Sequence, residues 1–372
     1  IVGLKCYDLL AGAETPRYIG GIENQLVLLA RGLAERGFPV SFVTFDHGQP
    51  DGIDLDGIQV FKAFGSDAGV PIVRFLHPRW TGLWSALSRA NADICYQMGA
   101  GCETGQVAMW CRKKGRAFVF ATASDANCLP DLPSLKTARE RYLYRLGLAR
   151  AALVISQTHR QQELLLKHHG LPSELVRVCT REPRTWAAPM ESSLDKRKRM
   201  LWVGRICPEK RPHLLLELSR RLPELVFDVI GDANADTAYA QRFREEAKQC
   251  PSVILHGRVS HEVLEDLYAE GVLLVGTSQM EGFPVIFAEA WSRGIPVLST
   301  FDPDGLIQEH GLGWHASDVE DLVERLRGVL QDSQSLRAAS EAARAYYLAH
   351  HTVDVVTTAF ERIAVDLPKS CG

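Results

Sequence analysis

Short apolar runs alternate with segments of helical periodicity along most of this 372-residue chain, and the alternation limits the folds open to it. Repeated strand–helix units form a parallel sheet covered by helices on both faces. We therefore predict an α/β fold with its functional groups at the carboxyl ends of the strands. The predicted strands include Ile58 to Lys62, Asp93 to Gln97, Ala117 to Ala121 and Ala152 to Ser156. The predicted helices include Glu103 to Lys114, Lys136 to Arg150 and Thr158 to His169.

The first strand–helix unit begins at the N-terminus. Ile1 to Cys6 is a short apolar run that predicts a buried parallel strand. A long loop from Asp8 follows and ends in Gly20-Gly21, at the start of a predicted helix. Two glycines at this position let backbone N–H groups approach a ligand without side-chain obstruction. A tight turn that needs positive φ is the alternative explanation of the pair.

The chain is long enough for two domains of ordinary size. The segment Thr180 to Arg199 is rich in proline, serine and charge and lacks periodicity, which is typical of an interdomain linker. We place one Rossmann-like domain at residues 1–185 and a second at residues 186–350. The last segment, Ala338 to Leu367, is predicted to form two helices.

Composition indicates a globular protein without a membrane span. The chain is 46% hydrophobic and 23% charged, and no apolar run approaches the roughly 18 residues of a membrane helix. Nine cysteines occur without a C-x-x-C pair, which suits reduced thiols and argues against structural zinc. The N-terminus has no basic region ahead of its apolar stretch, so we expect a cytoplasmic protein.

Basic residues are concentrated in the first half of the chain. Residues 1–190 carry 22 Lys and Arg against 17 Asp and Glu, a net +5, whereas the rest carries 20 against 28, a net −8. Within the basic half, Val73 to Ala90 interleaves aromatic and leucine side chains with three arginines. This composition suggests contact with the inner face of an anionic membrane or with a lipid-linked substrate. The alternative is a core helix with solvated arginines, which burial of Trp80 and Trp84 would favour.

The stretch Gly276 to Thr300 contains two glutamates, Glu281 and Glu289, that are separated by seven residues. We expect a strand, a loop, a helix that begins near Pro284 and ends at Gly294, and a second strand. Glu281 would lie in the loop and Glu289 inside the helix, on the order of 8–12 Å away at about 1.5 Å rise per residue. The two carboxylates could serve opposite ends of a polar ligand, with first-turn N–H groups between them for an anion. Two glutamates on a solvated helix face are the alternative.

A basic loop follows the predicted strand that begins at Arg199. The strand ends at Gly204, and Arg205 and Lys210 bracket a loop that contains Pro208. Two cations at the carboxyl end of a strand can neutralise a diphosphate, because Arg offers a planar fork and Lys a point charge. A solvated surface loop is the alternative.

Together these motifs resemble the family-4 retaining glycosyltransferases of the GT-B fold, also called the group-1 type. The match is strongest over roughly residues 199–330 and includes the opening strand–helix unit. It implies two facing Rossmann-like domains with a cleft between them, and a C-terminal helix at 351–372 that crosses back to the first domain. The matching positions, in family order, are Gly20-Gly21, the G-R-x-x-x-E-K residues Gly204, Arg205, Glu209 and Lys210, then Gly231, and the Glu-x7-Glu pair Glu281 and Glu289.

The resemblance implies a role for each matched residue. Arg205 and Lys210 bind the donor diphosphate, Glu281 contacts the transferred sugar, and Glu289 contacts the ribose. No metal or other cofactor is implied. The other positions expected at the nucleotide-sugar are Gly20, Gly21, Gly204, Gly231, Gly257, Val259, Gly282, Phe283 and Pro284.

One position departs from the family pattern. The strand Ala117 to Ala121 is followed by Ser124 and Asp125, where the family often has a histidine followed by an acid. Serine cannot supply imidazole chemistry. Asp125 either takes over a contact to a sugar hydroxyl, which makes it a candidate catalytic residue, or simply starts the loop.

The sequence thus predicts a retaining, metal-independent hexosyltransferase. It would use a nucleoside-diphosphate sugar as donor and a hydroxyl acceptor, preferably a glycolipid or polysaccharide intermediate, without nucleic acid as a partner. Two alternatives stay open: a nucleotide-sugar 2-epimerase of the same architecture and a non-catalytic nucleotide-sugar binding protein. An NAD dehydrogenase is disfavoured because no G-x-G-x-x-G follows the first strand.

Overall fold

A computed structural model describes residues 1–13, 16–18, 20–71, 73–183, 199–233, 237–365 and 367. The chain forms two compact units, one of Ile1–Cys179 with the C-terminal segment from Val353, and one of Thr180–Thr352. Most of the predicted linker, at 184–198, lies outside the described residues, and so does the predicted boundary between 185 and 186. Each unit is an α/β domain with its own sheet and its own core.

The first unit contains one long, mostly parallel sheet. The strands are β1 (Val40–Thr44), β2 (Ile53–Leu55), β3 (Ile58–Lys62), β4 (Ile94–Met98), β5 (Ala117–Ala121), β6 (Leu153–Ser156) and β7 (Glu174–Leu175). Its first six helices are α1 (Tyr7–Leu10), α2 (Gly21–Glu35), α3 (Thr81–Ala90), α4 (Cys102–Lys114), α5 (Ala138–Leu148) and α6 (His159–His169). The strand order is β2-β3-β1 on one side and β4-β5-β6-β7 on the other, and among the described strands only β2 pairs antiparallel.

The N-terminal segment joins the two halves of this sheet. Val2 forms parallel bridges to both Val43 and Gln97 and so lies between β1 and β4. The predicted strand from Ile1 to Cys6 is wrong in its length, because the chain turns after Gly3, whose carbonyl accepts from the Cys6 amide at 3.0 Å. The short helix α1 then occupies part of the predicted loop.

The predicted basic and aromatic helix is broken. A wide turn at Phe75–Trp80 precedes α3, and His77 inside it has extended φ/ψ of −131° and 125°. Pro78 follows directly, which explains the break, because the residue before a proline is disfavoured in helical conformation. Trp80 and Trp84 are half-buried, and the Trp84 indole donates to the Gln106 carbonyl at 2.9 Å.

The second unit contains a six-stranded parallel sheet. Its strands are β8 (Arg199–Val203), β9 (Val226–Ile230), β10 (Val253–Gly257), β11 (Leu273–Gly276), β12 (Val297–Ser299) and β13 (Gly313–His315). Its helices are α7 (His213–Arg221), α8 (Ala238–Ala247), α9 (His261–Glu270), α10 (Val285–Trp291), α11 (Leu306–Glu309), α12 (Val319–Gln331) and α13 (Ser333–His350). The spatial order is β10-β9-β8-β11-β12-β13, the doubly wound Rossmann arrangement.

The last described helix, α14 (Val353–Val365), belongs to the first unit. It packs on α2, where a Cβ at Gly32 would collide with the Thr357 hydroxyl. Arg36 at the end of α2 pairs with both Asp354 and Glu361 of α14. Within the described residues, no helix is both long and apolar enough to cross a bilayer.

Candidate active site

The candidate site lies at the switch point of the second unit's sheet. The strand order reverses between β8 and its neighbour β11, and ligands of open α/β sheets bind in the crevice beside the carboxyl ends of two such strands. The loop after β8 carries Arg205 and Lys210, and the loop after β11 carries Glu281. Three of the predicted residues therefore follow the two strands at which the topology predicts a site.

Lys210 and Glu281 form an ion pair across these two loops. Their side chains are 21% and 16% exposed, so the pair is partly desolvated yet open to solvent. Arg205 is exposed on the same loop as Lys210. The structure thus brings together one predicted phosphate ligand and the predicted sugar ligand.

Hydrogen bonds between the loops fix the position of Lys210. We call this set the loop latch: the Thr277 hydroxyl donates to the Lys210 carbonyl at 2.6 Å, and the Gln279 amide donates to the Glu209 carbonyl at 3.0 Å. The Trp202 indole of β8 donates to the Thr277 hydroxyl at 2.9 Å, which sets its direction. Because these donors and acceptors are backbone and core groups of the protein, the backbone of Lys210 is held in place before any ligand arrives.

Arg211 is part of the latch and was missed by the sequence analysis. It has a left-handed φ of 47°, and its guanidinium donates to the Thr277 carbonyl and to the Thr300 hydroxyl, both at 2.7 Å. Burial lowers the pKa of Arg211. The available signal was a third cation directly after Lys210, but its acceptors lie 66 and 89 residues away in sequence.

Three predicted glycines lie at the carboxyl ends of neighbouring strands. The Gly204 amide donates to the Ile230 carbonyl at 3.0 Å, and the Gly231 amide donates to the Gly257 carbonyl at 2.8 Å. Gly231 has a φ of 121°, and a Cβ there would collide with the Gly204 carbonyl oxygen. This close approach gives Gly231 a structural reason to be glycine. The half-buried Val259 follows two residues after Gly257.

The predicted loop Gly282, Phe283 and Pro284 is buried. Pro284 immediately precedes α10 rather than opening it, with a ψ of 104°. Phe283 faces the core, where its ring lies 4.9 Å from the His351 ring and 6.0 Å from the Trp291 ring. We conclude that the Phe283 side chain holds the loop down.

Glu289 lies in the second turn of α10 and is partly buried. Its Oε2 accepts a hydrogen bond from the Tyr268 hydroxyl at 3.2 Å. Burial raises the pKa of Glu289, while Arg293 and the Tyr268 hydroxyl act in the opposite direction. Tyr268 and Arg293 were not predicted, because neither carries a motif and Tyr268 comes from another helix.

Gly20 and Gly21 lie at the start of α2 in the first unit. The explanation as a tight turn that needs positive φ is wrong, because Gly20 has an extended φ of −161° and Gly21 is already helical. A Cβ at Gly20 would lie 2.5 Å from a carboxylate oxygen of Glu23. The glycine therefore makes room for the carboxylate of this first-turn residue at the helix N-terminus, where acidic groups are favoured.

Asp125 opens a short 3-10 turn, Asp125–Asn127, after β5. Its carboxylate is 5% exposed and accepts from Arg160 Nε at 2.9 Å. Ser124 caps the turn by accepting from the Ala126 amide at 3.3 Å. This geometry favours the interpretation that Asp125 holds the loop.

In the part of the chain that the structure describes, no group of three or more His, Cys, Asp or Glu side chains is placed to hold a metal ion. The eight described cysteines are free thiols, and Cys371 lies outside the described residues.

Two family models match the chain, one to each half. Residues 20–182 match the glycosyl transferase 4-like domain, and residues 187–346 match glycosyl transferases group 1. The two matches meet near the boundary between the compact units.

Curated relatives are distant in sequence. The chain is 25% identical to sulfoquinovosyl transferase SQD2 of Arabidopsis thaliana over 88% of its length and 67% of the relative's. It is 28% identical to D-inositol 3-phosphate glycosyltransferase of Mycolicibacterium smegmatis over 58% of its length and 53% of the relative's. It is 25% identical to alpha-D-kanosaminyltransferase of Streptomyces kanamyceticus over 50% of its length and 54% of the relative's. The chain thus spans between about half and two thirds of these relatives.

Solved structures share the fold over nearly the whole chain. HepE of Anabaena in complex with UDP and glucose matches with a TM-score of 0.75 at 16% identity, covering 98% of both chains. Sucrose-phosphate synthase of Thermosynechococcus elongatus matches with a TM-score of 0.77 at 18% identity, covering 94% of both. These neighbours are GT-B proteins, so the predicted fold class is confirmed.

Proposed function

Since the chain belongs to the group-1 glycosyltransferase family, we propose that it is a retaining hexosyltransferase. It moves the sugar from a nucleoside-diphosphate sugar to a hydroxyl acceptor. The observation that carries the proposal is the Lys210–Glu281 pair at the switch point of the second unit's sheet. A cation and a carboxylate in contact, both partly exposed to solvent, offer adjacent partners for a diphosphate and a sugar hydroxyl.

Lys210 and Arg205 supply the charge that the departing diphosphate needs. Phosphate oxygens displace Glu281 from the Lys210 ammonium, so one ion pair replaces another, and the exposed Arg205 adds its planar fork. The loop latch holds Lys210 ready, and a preorganised donor of this kind typically contributes about 2.7–4 kcal/mol of transition-state stabilisation. Because side chains balance the leaving-group charge, the proposed reaction needs no metal.

Glu281 then orients the transferred sugar. Once a phosphate has paired with the Lys210 ammonium, the Glu281 carboxylate is free of that ion pair and can accept hydrogen bonds from sugar hydroxyls. The acceptor oxygen attacks the anomeric carbon on the face that the diphosphate leaves, and the acceptor proton passes to the departing phosphate oxygen. The product therefore keeps the donor's anomeric configuration. The proton NMR coupling of the product's anomeric hydrogen tests this, and an inverted product would contradict the retaining mechanism.

Our first candidate donor nucleotide is UDP, because HepE of the same fold was solved with UDP and glucose. At 16% identity, that likeness supports the fold alone, and the base of the donor nucleotide has to be identified by a ligand screen. Glu289 is the proposed ribose ligand, and a hydrogen bond to a charged group contributes about 1.5–3 kcal/mol. Gly204, Gly231, Gly257 and Val259 are the proposed lining of the nucleotide site.

For the acceptor we propose a glycolipid or polysaccharide intermediate that is reached at the cytoplasmic face of an anionic membrane. The support is an exposed apolar patch in the first unit formed by Val70, Val73 and Leu76, whose side chains are 65%, 53% and 61% exposed. Arg74 and Arg79 lie in the same segment, and apolar residues beside cations suit an anionic bilayer surface. Trp80 and Trp84, which suggested this contact, are half-buried, so the exposed patch is the stronger support for it.

Vesicle co-sedimentation tests this contact. We expect the full chain to bind phosphatidylglycerol vesicles and to release with rising salt. Val73→Ser with Leu76→Ser should weaken binding, while Leu166→Ser, which changes a residue of α6 that is also 61% exposed, should not. Absence of binding at low salt, or equal loss in the control, would remove the membrane contact and leave the transferase proposal standing.

A donor screen tests the proposed function itself. We expect one of the UDP-, GDP-, ADP- or dTDP-sugars to raise the melting temperature, since a ligand at about 100 times its Kd stabilises by about 2.7 kcal/mol. Lys210→Ala and Glu289→Ala should abolish the shift. If none of the four stabilises the protein, the transferase proposal is wrong. Binding without turnover against lipid and glycan acceptors would favour a non-catalytic binding protein.

A further inference from the structure

Glu289 is held by side chains outside the family motifs. Tyr268 on α9 is fully packed, at 2% exposure, and its hydroxyl donates to Oε2 of Glu289 at 3.2 Å. Oε1 of Glu289 accepts no hydrogen bond from any residue that the structure describes. One carboxylate oxygen is thus occupied by the protein, and the other is left for a ligand.

The Arg293 side chain contacts both the Tyr268 ring and the backbone carbonyl of Glu289. Its guanidinium lies 4.4 Å from the centre of the Tyr268 ring, a cation–π contact. Its Nη1 donates to the Glu289 carbonyl at 2.7 Å, and Nη2 pairs with Glu265 on α9. Arg293 is 11% exposed, so its charge acts in a partly desolvated setting where such interactions are strong.

The charged groups around Glu289 compete. Burial raises the pKa of its carboxyl group, Arg293 and the Tyr268 hydroxyl lower the pKa, and Glu265 raises it. The Nε2 atom of His261 lies 3.6 Å from Oε1 of Glu265, one turn along α9. Because the ionised carboxylate accepts the stronger hydrogen bond, affinity that depends on Glu289 is present above this raised pKa and is lost as pH falls through it.

We propose that Tyr268 and Arg293 are positioning residues for ribose recognition, holding Glu289 through Oε2 and its carbonyl so that Oε1 faces a ribose hydroxyl. The inference rests on the proposed function, which places the donor's ribose at Glu289. It adds that recognition depends on two residues outside the family motifs, which act through Glu289.

Calorimetry on the full chain tests the inference with UDP, GDP and ADP, each paired with its 2′,3′-dideoxy form. We expect the wild type to prefer the ribose form by about 10- to 150-fold at pH 8, as for hydrogen bonds to charged groups. Tyr268→Phe should lower this preference by about 2- to 13-fold, the range for one net hydrogen bond. It should also raise the pH below which the preference disappears, because loss of the Tyr268 donor raises the pKa of Glu289. Arg293→Gln should move it further upward, and Arg293→Lys should restore part of the shift.

A matched control separates positioning from simple packing. Tyr347→Phe removes another buried hydroxyl of the same unit, which donates to the Thr180 carbonyl at 3.0 Å, and should leave both preference and pH midpoint unchanged. Glu289→Gln should abolish the preference.

The outcomes distinguish this inference from the proposed function. If Tyr268→Phe weakens ribose and dideoxy forms equally with an unchanged pH midpoint, Tyr268 is structural only and the inference is overturned, while the transferase proposal stands. If the wild type binds both forms equally, Glu289 is not the ribose ligand and the inference fails. If none of the three nucleotides binds and the donor screen is also silent, the proposed function itself has failed.

Discussion

The two units present carboxylates at the carboxyl ends of their sheets in different ways. Glu281 in the second unit pairs with Lys210 where both side chains remain partly exposed. Asp125 in the first unit is 5% exposed and is tied to Arg160 in a capped turn. An anionic ligand can bind Lys210 by replacing Glu281 as its ionic partner. Engaging Asp125 would instead break the ion pair of a nearly buried carboxylate, which is costly in a poorly solvated setting.

The two units therefore differ in how readily a ligand can reach a charged group. The second unit keeps an exchangeable ion pair on a loop latch of fixed hydrogen bonds, which suits a diphosphate that gains charge during reaction. In the first unit, the Asp125 carboxylate is instead almost fully buried and paired with Arg160.

The largest expected effect is on turnover when Lys210 is removed. Lys210→Ala should lower kcat by about 10²- to 10³-fold, the loss typical of one preorganised donor to a developing anion. Steady-state rates with the donor found in the screen measure it. The control is Lys248→Ala, which breaks the ion pair of Lys248 with Glu245. These two side chains are 69% and 70% exposed, so this substitution should change kcat less than twofold. Equal effects of the two substitutions would contradict the special role of the pair at the switch point.

The next largest effect is on stability. Arg211→Ala should lower the free energy of unfolding of the second unit by about 2–3 kcal/mol, because buried carbonyl acceptors at Thr277 and Ser278 lose a charged donor. Urea unfolding followed by tryptophan fluorescence measures the change. The exposed Arg337, which pairs only within α13 through Glu341, provides the control, and its alanine variant should shift stability by less than about 0.5 kcal/mol. A small loss for Arg211→Ala would mean that the loop latch does not depend on it.

Arg211 also shows the limit of sequence reasoning. Regular elements follow local patterns, so the predicted strands Ile58 to Lys62 and Ala117 to Ala121 match the structure residue for residue. The contacts of Arg211 and Tyr268 join segments 21 to 89 residues apart, and one sequence carries no signal for such pairs. Motifs placed the candidate residues on the right loops, but only the fold shows which side chains hold them there.

Two misses had local signals that were not used. The short strand β2 turns into β3 through Asp56-Gly57, where both residues have positive φ, and an Asp-Gly pair is a strong hairpin signal. His77 before Pro78 signalled the break in the predicted aromatic helix. Both elements are only three to six residues long, so periodicity alone could not reveal them.

A smaller effect is expected at Asp125 and would sharpen the contrast between the units. If its carboxylate mainly holds the loop, Asp125→Asn should slow turnover by less than about 10-fold, and Arg160→Ala should have a similar effect. The double variant should then be no worse than either single one, because the two residues act as a pair. A loss near that of Lys210→Ala, with no effect of Arg160→Ala, would instead make Asp125 a direct sugar ligand. Rates and melting temperatures of the three variants decide between these roles.

The smallest expected effect is that of metal removal. If Arg205 and Lys210 balance the leaving-group charge, EDTA at millimolar concentration should leave kcat within about twofold, and added Mg²⁺ should not raise it. The same assay on Lys210→Ala is a stricter test. If Mg²⁺ can replace the charge of Lys210 at the same phosphate oxygens, it should raise the kcat of this variant. Rescue by Mg²⁺ only in the variant would support side-chain compensation at this position. A large loss of kcat in EDTA for the wild type would show that Arg205 and Lys210 do not balance the leaving-group charge without a metal. The exchangeable ion pair of the second unit would then not be sufficient for the proposed reaction.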